Sequence, residues 1–240
     1  MTGQAKRKTF ISLLLSLLIV TLFTFSLTAA RYSEDKKADG QLTGDLEYVV
    51  ADQIVVSSVD GLLAAIQNGY SNIQIADDVK NPIIVTGTAP DVNSDLTIDL
   101  NGHTLTNNSN HTIINYGTLT VEDSSTGETG KVDNVTHGKA AIYNEVGATF
   151  TLASGTLDRT KEDGISSSSS GDNSYYTLLN HGTAYINGGT IQQGGLEVGK
   201  YSSLVENGWY DGSKNTEKEP SIMTVNGGTF LGGLNSIKND

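Results

Sequence analysis

Cysteine is absent from this chain of 240 residues, which removes a disulfide framework and any Cys-ligated zinc or iron–sulfur centre. Proline is scarce, at three residues, and aromatics make up only 7%. Positive charge is scarce as well: 15 Lys+Arg face 27 Asp+Glu, for a formal net charge of -12. So acidic a chain repels phosphate backbones, and nucleic acid is excluded as the expected partner. Intrinsic disorder combines low hydrophobicity with high charge. Here hydrophobic residues are 37% and charged residues only 18%, so disorder fits badly. Glycine (27 residues), Ser, Thr and Asn fill the difference, a mixture suited to many short strands joined by tight turns. The length leaves room for one or two domains, or one elongated all-β domain.

The first thirty residues have the form of an address. Lys6, Arg7 and Lys8 precede an uncharged, apolar run from Phe10 to Ala30, the pattern of an export signal with its positive end on the cytoplasmic side. Two readings of 1–30 stay open. Thr28-Ala29-Ala30 suits a signal peptidase, whereas a run about 20 residues long is enough to span a bilayer as an uncleaved anchor. Either way the rest is expected outside the cell or at its surface, with membrane contact only through 10–30. Without 1–30 the chain keeps 12 Lys+Arg against 27 Asp+Glu, a net of -15.

Residues 31–57 read as a linker and lead-in. Arg31 to Gly44 is a polar spacer, and Leu46 to Val56 has the β-branched content of a strand. A short helix follows over 58–69. Val59, Leu62, Leu63 and Ile66 form one apolar stripe. Ser58 is a fitting N-cap, Asp60 lies in the first turn, and Asn68-Gly69 supplies the stop.

Beyond the helix the period changes to two, at Ile73 and Ile75, Leu96, Ile98 and Leu100, Leu119 and Val121, Phe150 and Leu152, and Met223 and Val225. This is the pattern of short, half-buried strands. The strands belong to a repeat. One half-unit reads apolar–x–apolar–Asn–Gly–x–Thr–apolar. It contains Asn101-Gly102, Asn187-Gly188-Gly189 and Asn226-Gly227-Gly228, with a worn copy over 150–157. The other half-unit is an apolar pair followed by Asn and Gly. It occurs at Asn115 with Gly117 and at Asn180 with Gly182, and more loosely at Asn144 with Gly147 and at Leu204 to Gly208. Aligning Leu100, Val121, Leu152, Ile186 and Val225 gives spacings of 21, 31, 34 and 39 residues. Variable polar insertions over 124–139, 159–174 and 192–220 account for the spread. Stacked coils tolerate such insertions because each touches only its neighbours. Glycine at the corners supplies positive φ. Inward asparagines can stack coil on coil and satisfy backbone groups left unpaired there.

The run Leu-Thr-Ile-Asp-Leu-Asn-Gly-His-Thr-Leu over 96–105, with the helix before it and the Asn-Gly-Gly-Thr coils after it, resembles the right-handed parallel β-helix, or pectin-lyase-like, superfamily. Within it the nearest likeness is to large, uncharacterised bacterial surface repeat proteins. The resemblance covers 58–240. It implies an all-β, right-handed parallel β-helix solenoid with a short N-terminal capping α-helix, preceded by the signal or anchor segment. Ile237-Lys238-Asn239-Asp240 reads as the opening of another unit, so the repeat is expected to continue beyond 240.

The same resemblance implies enzymes that cleave acidic polysaccharides. A lyase of that type needs an Arg or Lys base beside Asp-bound calcium. Arg159 is the only arginine after Arg31, and its setting among Asp158, Lys161, Glu162 and Asp163 reads as a mobile charged loop. A hydrolase needs paired carboxylates at fixed separation. Asp77-Asp78, Asp95 with Asp99, and Glu122-Asp123 are candidates, but none is seen to recur one coil apart. Asp99 reads as pointing outward, and solvated surface is the reading adopted. The histidines lack ligand spacing, so neither a metal nor a cofactor is expected, and no catalytic residue is assigned. Sequons at Asn107, Asn110 and Asn134 carry little weight in a bacterial chain. Tyr175, Tyr176, Trp209 and Tyr210 are candidate sugar-stacking residues, with packing against the coil as the competing role. The expectation is a non-enzymatic, exported surface β-helix with a structural or adhesive role toward polysaccharide or host matrix. The alternative is a carbohydrate-active enzyme with its site at or beyond the edge of these residues.

Overall fold

Each full coil among the described residues is made of three short strands, because the backbone stays extended over only two to five residues before Gly, Asn or Ser turns it. The computed structural model describes residues 46–50 (backbone only), 53–76, 82–87, 89–136, 138–160, 176–193, 203–208, 220–233 and 235–239. The strands lie in one compact unit over 43–240. In the first sheet, β1 (Leu46–Val50), β2 (Gln53–Val56), β3 (Asn72–Ile75), β6 (Asp95–Asp99), β9 (Thr118–Glu122), β12 (Thr149–Leu152), β15 (Thr183–Ile186) and β18 (Ile222–Val225) follow in that order. The second sheet stacks β4 (Ile83–Val85), β7 (Thr104–Asn107), β10 (Lys131–Asn134), β13 (Thr156–Asp158), β16 (Thr190–Gln192) and β19 (Thr229–Leu231). The third stacks β5 (Asp91–Val92), β8 (Ile113–Asn115), β11 (Ile142–Asn144), β14 (Leu178–Asn180), β17 (Val205–Asn207) and β20 (Ile237–Asn239). Every pairing is parallel except that of β1 with β2. The described residues thus form an all-β, solenoid-like stack of three mostly parallel sheets.

The lead-in thus holds two antiparallel strands where one was expected. The helix α1 (Val59–Gln67) forms as its sequence predicts. Ser58 caps it by accepting a bond from the Gly61 amide at 3.1 Å, and Gly69 closes it at φ 71°. Its buried face is centred on Leu62 and Ala65, with Val59 and Ile66 only partly buried. It packs on β2 and β4 and covers the start of the core.

Inside the coils Ile98, Val121, Leu152 and Ile186 stack in one column, in register with Val225. The member that β6 contributes is Ile98, not Leu100, so the spacing to Val121 is 23 residues rather than 21. The cause is a longer corner. Six positions separate Ile98 from Thr104, against four between Ile186 and Thr190, yet Thr104 and Thr190 occupy the same column. The polar stretch 124–139 is not wholly an insertion either, because it contains β10. In the last coil Ile222, Val225, Leu231 and Ile237 are exposed.

The third sheet carries a continuous asparagine ladder. Nδ2 of Asn115, Asn144 and Asn180 donates to Oδ1 of the asparagine one coil on, each at 2.7 Å, and Asn207 donates to Asn239 at 2.6 Å. The same Nδ2 atoms also donate to the carbonyls of Thr149, Thr183 and Ile222, the first residues of first-sheet strands in the next coil. Each amide therefore ties its own coil to two elements of the next. Asn101, Asn187 and Asn226 behave differently. They lie at the opposite corner and do not enter the core, although Asn226 donates to Asn187 at 2.8 Å.

The corner glycines also divide. Gly102, Gly147, Gly189 and Gly228 have positive φ, whereas Gly117, Gly182, Gly188 and Gly227 do not. In the second group the constraint is close approach. A Cβ on Gly182 would lie 2.3 Å from the Ala148 carbonyl oxygen and 2.5 Å from that of Glu145.

Replacing Asn144 by Ala leaves a buried acceptor on Asn180 and a buried donor on Asn115 without their ladder partners. Denaturant unfolding is expected to show a loss of about 2–4 kcal/mol, against no more than about 0.5 kcal/mol for Asn226→Ala at the exposed corner. Gly182→Ala is expected to cost about 1–3 kcal/mol through overpacking.

Candidate functional site

Because inward positions are fixed by the ladder, the intervening residues point outward and form columns of their own. The middle residues of the third-sheet strands, Ile114, Tyr143, Leu179 and Glu206, make one column. The residues just after the ladder asparagines, Tyr116, Glu145 and His181, lie along its side. Tyr143 sits between two imidazoles. Its ring centroid is 5.0 Å from that of His111 and 5.2 Å, edge to face, from that of His181. The Tyr143 hydroxyl is 3.3 Å from His181 Nδ1.

The electrostatics of this patch follow from burial next to carboxylates. Burial, then the charge and hydrogen bond of Glu145, push the Tyr143 hydroxyl well above its ordinary range, so it stays a neutral phenol. Burial, helped by the positive charges of Lys139 and Arg159, lowers His111 to about 4. His111 Nδ1 accepts the Ala140 amide at 2.9 Å, which places the ring proton on Nε2. Burial also lowers His181, with Glu145 acting in the opposite sense. Tyr116 is 47% exposed, and burial together with the charges of Asp91 and Glu145 raises its hydroxyl. The patch thus offers an open phenol ring, neutral imidazoles and flanking carboxylate acceptors. It can stack on an apolar ring face and accept hydrogen bonds from hydroxyl groups.

The carboxylates suggested by the sequence fall elsewhere. Asp99 is buried rather than outward-facing. Its Oδ1 accepts the amides of Asn101 and Ser124 at 3.0 and 2.9 Å, and its Oδ2 accepts Gln74 Nε2 at 2.6 Å. Burial alone would raise this carboxyl, but the bonds from Ser124, Gln74 and Asn101 outweigh it and hold Asp99 below its usual range. Asp123 accepts the amides of Gly102 at 2.8 Å, Ser125 at 3.1 Å and Gly130. Both acids therefore staple corners. Carboxylates do recur one coil apart, against expectation: Asp99 stands opposite Glu122, and Asp133 opposite Asp158. Burial and the Asp99 charge raise Glu122.

On the outer face of the second sheet, Lys131 Nζ lies 2.8 Å from Asp158 Oδ2. Asp158 Oδ1 accepts the Arg159 amide and Oδ2 accepts Gln192 Nε2, both at 2.7 Å. Arg159 is not on a mobile charged loop, because its side chain is 0% exposed. Asp133 accepts the amide of Thr160 at 2.9 Å and also its hydroxyl.

Of the four aromatics suggested for sugar stacking, Tyr175, Trp209 and Tyr210 lie outside the described residues, as do Asp77 and Asp78. Tyr176 is 2% exposed, with Lys238 Nζ 5.9 Å from its ring centroid. Two of the sequon asparagines, Asn107 and Asn134, are buried. Tyr116, Tyr143 and His111 carry no local motif, and the alternation of β8 and β11 is the signal that would have placed Tyr143 outward. Among the described residues no group of three or more His, Asp or Glu could hold a metal ion. No helix there is long and apolar enough to cross a membrane. The expected export segment lies outside the described residues. No protein-family model matches the chain, and neither does any curated protein or solved structure.

His111 is neutral when folded and ionises near 6.5 when unfolded. Unfolding therefore takes up a proton between those values, and stability falls as pH drops from about 6.5 toward 4. The contribution at stake is about 3 kcal/mol. Chemical unfolding across this range is expected to show the slope, and His111→Gln is expected to flatten it.

Proposed function

We propose that the chain is an exported surface protein, a parallel β-helix of the pectin-lyase-like kind with a structural and adhesive role, and that it holds glycan on the outer face of the third sheet. The observation that carries this reading is the pairing of an open Tyr116 ring with Glu145 and the Tyr143–His181 pair. Aromatic faces stack on sugar rings while neighbouring carboxylates accept hydroxyl protons, and a solenoid offers a long face to an extended chain. The corner acids Asp99 and Asp123 support a structural role, because their oxygens are taken up by backbone amides.

A second reading rests on the Asp133–Asp158 column beside Lys131 and Arg159, which is a carboxylate and cation set of the kind a carbohydrate-active enzyme uses. Incubation with neutral and uronate polysaccharides separates the two. The adhesive reading expects saturable binding without turnover, weakened about tenfold by Tyr116→Ala, the loss expected for one aromatic contact. Release of reducing ends or unsaturated uronides would establish the enzyme instead. Equal binding by Tyr116→Ala would remove the third-sheet face as the site.

A further inference from the structure

We propose that Lys131 and Asp158 join in an intramolecular isopeptide bond, a covalent rung between two successive coils, with Asp133 passing the protons. Lys131 and Asp133 lie two residues apart on β10, so both face outward, and Asp158 stands on the next strand directly opposite Asp133. Lys131 reaches diagonally to Asp158, and its Nζ is already 2.8 Å from Oδ2. The acceptor side chain is 1% exposed and that of the lysine 27%, unlike a surface pair whose two ends are solvated and loosely held. The Arg159 amide and Gln192 Nε2 fix the carboxylate on both oxygens. Nucleophile and electrophile are therefore held in contact on rigid strands, a condition that raises effective concentration by orders of magnitude.

The chemistry balances without a co-reactant. The lysine ammonium and the aspartate carboxylate begin as an ion pair. Asp133 delivers a proton to an Asp158 oxygen and takes one from Nζ. The freed amine attacks Cγ of Asp158, the C–N bond forms, the C–O bond breaks, and one water leaves. Asp133 ends as it began, and nothing is oxidised or reduced. Asp133 suits this part by its place opposite Asp158 on the strand that carries Lys131, and because burial, assisted by the Asp158 charge, raises its carboxyl despite the Thr160 bonds and the Lys131 charge. Condensation also replaces two largely desolvated charges with a neutral amide, which relieves the cost of keeping them there.

Tryptic digestion of the purified full chain, read by tandem mass spectrometry, tests the bond. The expected result is a branched peptide that joins the segments around Lys131 and Asp158, lighter by one water than their sum, with no cleavage after Lys131. Lys131→Arg keeps the charge and is expected to give linear peptides only, as is Asp158→Ala. In freshly refolded protein, Asp133→Asn is expected to slow appearance of the branched peptide by about a hundredfold, the scale of general acid–base assistance. Linear peptides and normal cleavage after Lys131 in the wild-type chain would overturn the bond whatever the variants do. A wild-type rate in Asp133→Asn would overturn the role given to Asp133.

Discussion

A buried amide that must be paired is the constraint on which the solenoid rests. Asn115, Asn144 and Asn180 place carboxamides inside a core of Ile, Leu and Val. An unpaired amide there costs as much as a lost buried hydrogen bond or more. The next coil supplies the partner only if it arrives in the same register and at strand separation. Hydrophobic burial tolerates a slip along a column of similar aliphatic side chains. The asparagine ladder does not, because a slip by one residue turns the amide to the other face. Register is thus held although successive coils of the first sheet are 23, 31, 34 and 39 residues apart along the chain.

The ladder has consequences at the corner. Each Nδ2 also binds the carbonyl that opens a first-sheet strand in the next coil, which draws the two corners together. That approach leaves no space for a Cβ at Gly182, whose φ is ordinary. Glycine is needed here for lack of a side chain rather than for left-handed backbone. Fixing the inward set fixes the outward set too. Residues far apart in sequence, such as Tyr143 and His181, or Lys131 and Asp158, become neighbours only because the ladder and its aliphatic columns are in register.

Legibility in the sequence follows the same division. The ladder could be read because Asn115, Asn144 and Asn180 each follow an apolar pair, and Ser58, Asp60 and Gly69 announce the helix by local chemistry. The assignment of Leu100 to a column slipped because the path from the Ile98 column to the Thr104 column is two residues longer than the equivalent paths after β12, β15 and β18, and apolar alternation continues through it. β10 was hidden because Val132 is its only apolar residue. The outward clusters were hidden for a different reason. Their members are single residues on separate coils, and spacing along the chain does not encode which insertions separate them. Arg159 and Asp99 were misplaced by a rule that is sound on average, that charge lies in solvent; it fails at Asp99 because backbone amides and Gln74 replace water there, and at Arg159 because the coil buries the side chain.

That replacement takes two forms here, and the difference decides where chemistry can occur. Asp99 and Asp123 are met by several backbone amides each, which are fixed donors that stabilise the anion and cannot give up a proton at neutral pH. A carboxylate so held is inert scaffold. Asp158 is met by an ammonium group as well as by amides, and its register neighbour Asp133 has Thr160 as its hydrogen-bond donor while burial and a like charge act against its ionisation. The second sheet therefore places a lysine ammonium and two neighbouring acidic side chains side by side, where the corners have acids met by fixed amide donors. Burying acids is common to both places. Reactive potential belongs to the one whose partners can exchange protons.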